Sequence, residues 1–169
     1  MIFRLLRNTL FLILLVFVLS TWGNVLQIGM VKPDIILIVI VWLALRQGPF
    51  YAHTTGFFTG FVEDILSLSP IGFHLTARTL VGMLVGLFRD FVGIDRIILP
   101  MAISAAASLL QAIWFSLISV LFSIDTAFAP LFSLHFLYTL LYTIICAPLV
   151  FWILELFTGL FYRILERFR

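Results

Sequence analysis

Gly56-Phe57-Phe58-Thr59-Gly60-Phe61-Val62-Glu63-Asp64, followed by Pro70-Ile71-Gly72, is the stretch whose reading decides the fold. Two glycines stand four apart in an apolar helical pattern, and the pattern ends in two adjacent acids. Residues i and i+4 share a helix face. In a bilayer, small residues on such a face let a second backbone come close. Acids are tolerated there only where they are paired, wet or functional. The stretch therefore reads as the packing face of a membrane helix with a polar site at one end.

The chain around it has the same character. Of its 169 residues, 63% are hydrophobic and only 11% are charged, and the mean hydropathy is +1.23. A soluble domain carries about 25% charged residues, so this composition describes a polytopic membrane protein with no room for a soluble domain. The net charge of +2 says little until the charges are placed, and no nucleic-acid partner is expected. The one cysteine, Cys146, excludes a disulfide framework and reads as a small buried hydrophobe.

Polar or Gly/Pro breaks divide the sequence into six hydrophobic segments, roughly residues 8–28, 33–46, 49–68, 72–92, 97–123 and 131–163. The first follows Arg4 and Arg7 and contains a passable cleavage site at Val18-Leu19-Ser20. Its apolar run continues to Ile28, about the length of a full span, which favours an uncleaved helix over a signal peptide. The second is short, because Ile35 to Leu45 is well under the ~20 residues a span needs. Charge placement decides whether it crosses. With six crossings and the N-terminus inside, eight arginines (4, 7, 46, 89, 96, 163, 167 and 169) are cytoplasmic and only Lys32 is outside. If the second segment turned back, the count would invert to 2 inside against 7 outside. Lys/Arg bias in short loops sets orientation, so six crossings with both termini cytoplasmic are expected. The expected fold is a six-helix α-helical bundle forming one membrane domain over residues 1–169, because lipid leaves no other way to satisfy the backbone. Trp22 and Trp42 are expected at interfaces, and Trp114 and Trp152 in packing positions. Pro148 should bend the last helix.

Spacing gathers the polar residues into a stripe. His53, Gly56, Gly60 and Glu63 share one face of the third segment, with Asp64 beside it. His74, Arg78, Gly82, Gly86 and Arg89 follow one another on the fourth. A short turn makes these segments antiparallel neighbours, and the four glycines let them approach closely. Arg78 lies about 9 Å into its helix at 1.5 Å per residue, within reach of either acid. A buried charge needs a partner, so an Arg78–Asp64 pair is expected, with Glu63 as the alternative. The simplest role is a lock on the hairpin; a proton or ion relay and a partner-facing patch are the other readings of the stripe.

Catalytic chemistry finds no footing. No HExxH motif or Cys/His cluster occurs, and His53 and His74 fall at opposite ends of their helices. The serines of Ser104-Ala105-Ala106-Ala107-Ser108 suit tight packing better than nucleophilic attack. No catalytic residue, cofactor or metal site is expected. Pro33 and Asp34 open the second segment as a helix start, with the acid at the positive end of the dipole. Gly48-Pro49 forms the tight turn that follows.

In their order and spacing, these residues resemble the rod shape-determining MreD family. The likeness rests on Pro33-Asp34, Gly48-Pro49 and Gly56-Phe57-x-x-Gly60-Phe61-x-x-Asp64, closed by Pro70-x-Gly72. Phe61 stands where the family pattern leads one to expect Leu. The size, the six segments and the basic C-terminus extend the likeness in layout to the whole chain. The resemblance implies a non-enzymatic inner-membrane scaffold of the cell-elongation machinery. Such a protein binds the single-span protein MreC and helps connect MreB filaments with RodA and its partner transpeptidase in peptidoglycan synthesis. It also implies a fold similar to the substrate-binding subunit of energy-coupling-factor transporters. That likeness makes a vitamin-binding membrane subunit the second reading. Short, polar-poor outer loops favour the scaffold.

Overall fold

The computed structural model describes residue 27 and residues 31–67, 70–91, 97–122 and 133–167. The first hydrophobic segment and its possible signal-peptide character, including Trp22, lie outside them apart from Gln27. Five α-helices are present among the described residues: α1 (Ile35–Gln47), α2 (Pro49–Ser67), α3 (Phe73–Leu87), α4 (Ile98–Leu121) and α5 (Leu134–Arg167). A 3-10 turn, Arg89–Phe91, follows α3. Two stretches, Ile98–Leu121 and Leu134–Leu156, are long and apolar enough to cross a membrane.

The shortest apolar helix is the centre of the bundle. Every residue of α1 from Leu37 to Ala44 is buried, and α1 packs against all four other helices. Such a helix needs no polar face, which is why Ile35-Ile36-Leu37-Ile38-Val39-Ile40-Val41 shows no helical alternation. Trp42 is part of this buried core, and its ring N–H has no partner. The Trp42 ring is thus enclosed by the bundle rather than turned outward. Trp152 departs the other way. It is 62% exposed, on the outer face of α5. A pattern that is apolar on every face cannot reveal which residues point inward.

α2 and α3 form an antiparallel hairpin that meets backbone to backbone. A Cβ on Gly56 would lie 2.5 Å from the Arg78 carbonyl oxygen, and one on Gly60 would lie 2.5 Å from Leu75 Cα. From the other side, a Cβ on Gly82 would lie 2.5 Å from the Ala52 carbonyl oxygen, and one on Gly86 would collide with Pro49. Side chains do not tolerate such approaches. The four glycines are thus one device, two from each helix, that removes the spacing layer between helices. The turns at either end use left-handed backbone: Gly48 has φ 95° and Gly72 has φ 103°, angles that cost other residues conformational strain.

The two long helices are placed by side chains. Phe115 of α4 stacks on Phe73 of α3, with centroids 4.3 Å apart and planes 8° from parallel. Trp114 donates from Nε1 to Thr76 Oγ1 at 2.9 Å. At the opposite end, Arg46 of α1 pairs with Glu155 of α5.

Candidate functional site

One polar residue from each of the five helices, or from its cap, converges on a single network. Arg78 is its hub and is 2% exposed. Its guanidinium faces Glu63 of α2 in a two-pronged contact: Nε donates to Oε2 at 3.0 Å and Nη2 donates to Oε1 at 3.1 Å. This planar fork-to-carboxylate geometry is the strongest form of the pair. Nη1 donates to Asp34 Oδ2 at 2.8 Å and to Gln111 Oε1 of α4 at 3.0 Å. Gln111 also donates from Nε2 to Asp34 Oδ2 at 3.3 Å.

Asp34 has a second duty. It is the N-cap of α1, and its Oδ1 accepts from the Leu37 N–H at 3.0 Å. Its own N–H donates to Thr143 Oγ1 of α5 at 3.0 Å, and Thr143 donates onward to the Thr139 carbonyl at 2.7 Å. The charges therefore nearly balance. Arg78 neutralises Glu63, while Asp34 shares Arg78 and sits on the positive end of α1, worth roughly half an elementary charge.

The expected Arg78–Asp64 pair is not formed. Asp64 is 1% exposed and caps α3 from across the hairpin. Its carboxylate accepts from the backbone N–H groups of Gly72 (2.7 Å), His74 (2.7 Å) and Leu75 (3.2 Å). His74 Nδ1 stands 3.0 Å from Oδ1. The physical reason is geometric. Gly72 has no side chain to cap α3, so the orphan N–H groups of its first turn are met by the nearest short carboxylate. Glu63, with one more methylene, reaches past the turn to Arg78.

The sequence-expected residues thus divide into three groups. Glu63, Arg78 and Asp34 come together, and Asp64 forms a separate centre beside them. Gly56, Gly60, Gly82 and Gly86 line the hairpin contact. Pro33 precedes the α1 cap, and the Pro70 carbonyl accepts from the Phe73 N–H at 3.1 Å in the turn that Gly72 completes. Phe57 lies outside both centres, on the exposed face of α2. Sequence reasoning missed Gln111 and Thr143. The signal for Gln111 was available: it is the one amide-bearing or ionisable residue between Ile98 and Leu121. Thr143 gave none, because threonine is common in apolar helices. Among the described residues, no group of three or more His, Cys, Asp and Glu side chains is arranged to hold a metal ion.

Two helices long and apolar enough to cross a membrane, in a bundle whose buried charges pair with one another, fit an integral membrane protein of the helical class. The model of the rod shape-determining protein MreD matches residues 1–160, and the chain belongs to that family. It is therefore a membrane protein of bacterial cell-shape determination. No curated protein and no solved structure matches it. The expected likeness to energy-coupling-factor substrate subunits thus gains no support from a solved structure.

Proposed function

We propose that the protein is a non-enzymatic scaffold of the elongation machinery. In this reading it crosses the cytoplasmic membrane six times, with both termini inside, and holds the membrane helix of MreC. Through MreC it helps couple MreB to RodA and the partner transpeptidase. The observation that carries the reading is the fate of the buried charges. Asp34, Glu63, Asp64 and Arg78 each bond to another part of this chain. They serve helix–helix cohesion, which suits a rigid platform more than a reaction centre. The arginine bias of 8 to 1 supports the orientation. Helix association in lipid relies on close packing with a few polar contacts, and the exposed apolar faces of α2, α4 and α5 offer surface for it.

The test is depletion in living cells with three readouts: cell shape, MreC co-purification and radiolabelled vitamin uptake. Rounded cells, intact uptake and MreC recovered with the tagged protein are expected. Intact rods with lost uptake would sink the scaffold and favour the vitamin-binding subunit. A reporter fused after Arg169 should be active only if it is a cytoplasmic type.

A further inference from the structure

The helices are stepped at one end of the bundle. Distances from the Arg78 network make this plain. Toward the end carrying Arg46, Arg89, Asp90 and Glu155, α1, α2 and α4 run comparable lengths, Asp34 to Gln47, Glu63 to Pro49 and Gln111 to Ile98, while α5 continues past Glu155 to Arg167. The first three are each about 20–21 Å at 1.5 Å per residue. Toward the other end they differ. From Gln111 to Leu121 and from Thr143 to Leu134, α4 and α5 run on for about 14–15 Å, whereas α2 stops about 6 Å beyond Glu63 and α3 begins about 8 Å beyond Arg78.

A flat membrane boundary fits neither level. Placed at the hairpin tip, it would leave Leu117, Val120, Leu121 and Phe122 of α4 in water, along with Leu134 and Leu137 of α5, all exposed. Placed at the ends of α4 and α5, it would sink the network about 15 Å below the surface. There the side chains of Glu63 and Asp34 remain 22% and 19% open. Charged groups left open in hydrocarbon draw water and lipid headgroups toward them, and bilayers thin to meet short hydrophobic segments.

We infer that the bilayer is depressed against the α2–α3 flank, so that water and the headgroup layer reach the hairpin tip at Ile71. Beside α4 and α5 at the same height, acyl chains continue. The inference rests on the integral-membrane reading. The occupant of the step is the polar layer of the lipid surface, drawn in by the partly open side chains of Glu63 and Asp34 at its base.

Ile71 and Leu117 test it, because each lies two residues beyond the Phe73–Phe115 stack in the same direction and both are exposed. Spin labels are placed at Ile71→Cys and, separately, at Leu117→Cys in the full chain carrying Cys146→Ser. The protein is reconstituted in vesicles of dioleoyl phosphatidylethanolamine and phosphatidylglycerol. Power saturation with oxygen and with a water-soluble nickel chelate then reads the depth of each label. The expected result is a label at 71 that the nickel reagent relaxes and a label at 117 that oxygen relaxes. Their depths should differ by about 6 Å, the four residues of α4 from Leu117 to Leu121 at 1.5 Å per residue. Equal depths would overturn the inference, as would a label at 71 shielded from both reagents. Nickel access to both labels, together with vesicles that float free of protein, would instead overturn the membrane reading itself.

Discussion

The α2–α3 hairpin and the α4–α5 pair are both antiparallel helix pairs, yet they are specified in opposite ways. In the hairpin, four glycines bring backbone onto backbone, two positive-φ glycines set the turns and Asp64 seals the start of α3. The long pair has no comparable device. α4 joins the rest through Gln111, Trp114 and Phe115, and α5 through Thr143 and Glu155. The buried hydroxyls of Ser104, Ser108, Ser116 and Ser119 on α4 and of Thr139 on α5 have no hydrogen-bond partner. Side-chain packing against side chains tolerates exchange; backbone contact does not.

The contrast can be broken most forcefully at Arg78. Arg78→Met strips the counter-charge from Glu63 and Asp34 at once. Breaking a buried pair costs about 3–5 kcal/mol, so folded protein recovered in mild detergent should fall to near zero. Adding Glu63→Gln should restore part of the yield, and adding Asp64→Asn should not. Rescue by the Asp64 change alone would return the pairing to Asp64.

Gly60→Leu is expected to rank next. Its side chain must force α2 away from Leu75, with an overpacking cost of about 3 kcal/mol or more. A matched change in the long pair, Ala105→Leu, should cost far less, because Ala105 is only half-buried. Equal losses in detergent melting temperature would erase the distinction between the hairpins.

Asp64→Ala sharpens the account of the α3 start. It leaves three backbone N–H groups without their acceptor, at about 1–3 kcal/mol for an unsatisfied buried group. Asp64→Asn keeps an acceptor oxygen and should recover about half of the loss in melting temperature. If both variants melt alike, the cap is not what stabilises the turn.

The smallest effect is expected at Ser104→Ala. The hydroxyl is fully buried and unpartnered, so its removal should leave stability unchanged or raise it by up to about 1 kcal/mol. A clear loss would reveal a hydrogen bond that makes the long pair more specific than this comparison allows.

Legibility in the sequence follows the same division. The helical membrane character, the Gly48 turn and the glycine face were readable, because Gly and Pro act locally and a four-residue spacing fixes a helix face. The choice between Glu63 and Asp64 was not. Adjacent helical residues point about 100° apart, but both side chains reach the neighbouring helix, and the decision depends on where the first N–H groups of α3 end up. Asp34 was readable as a cap for α1 but not as a partner of Arg78, because 44 positions of chain separate them and only the packed bundle brings them together. α1 itself was legible as a short apolar helix and illegible as a centre, since uniform apolarity carries no direction.

The burial of α1 from Leu37 to Ala44 bears on how the chain enters the membrane. At 13 residues, α1 is well below the ~20 that lipid alone will hold across a bilayer, and it emerges with Asp34 at its start and Arg46 at its end. Its counter-charge, Arg78, is synthesised later, after the whole of α2. α1 is therefore a passenger during insertion, retained only once the hairpin behind it arrives to enclose it. In chains carrying Val39→Cys, truncation after Gln47 should leave that thiol open to a water-soluble maleimide, and truncation after Phe91 should shield it. The centre of the finished protein is thus the part of the chain that cannot settle until its surroundings have been made.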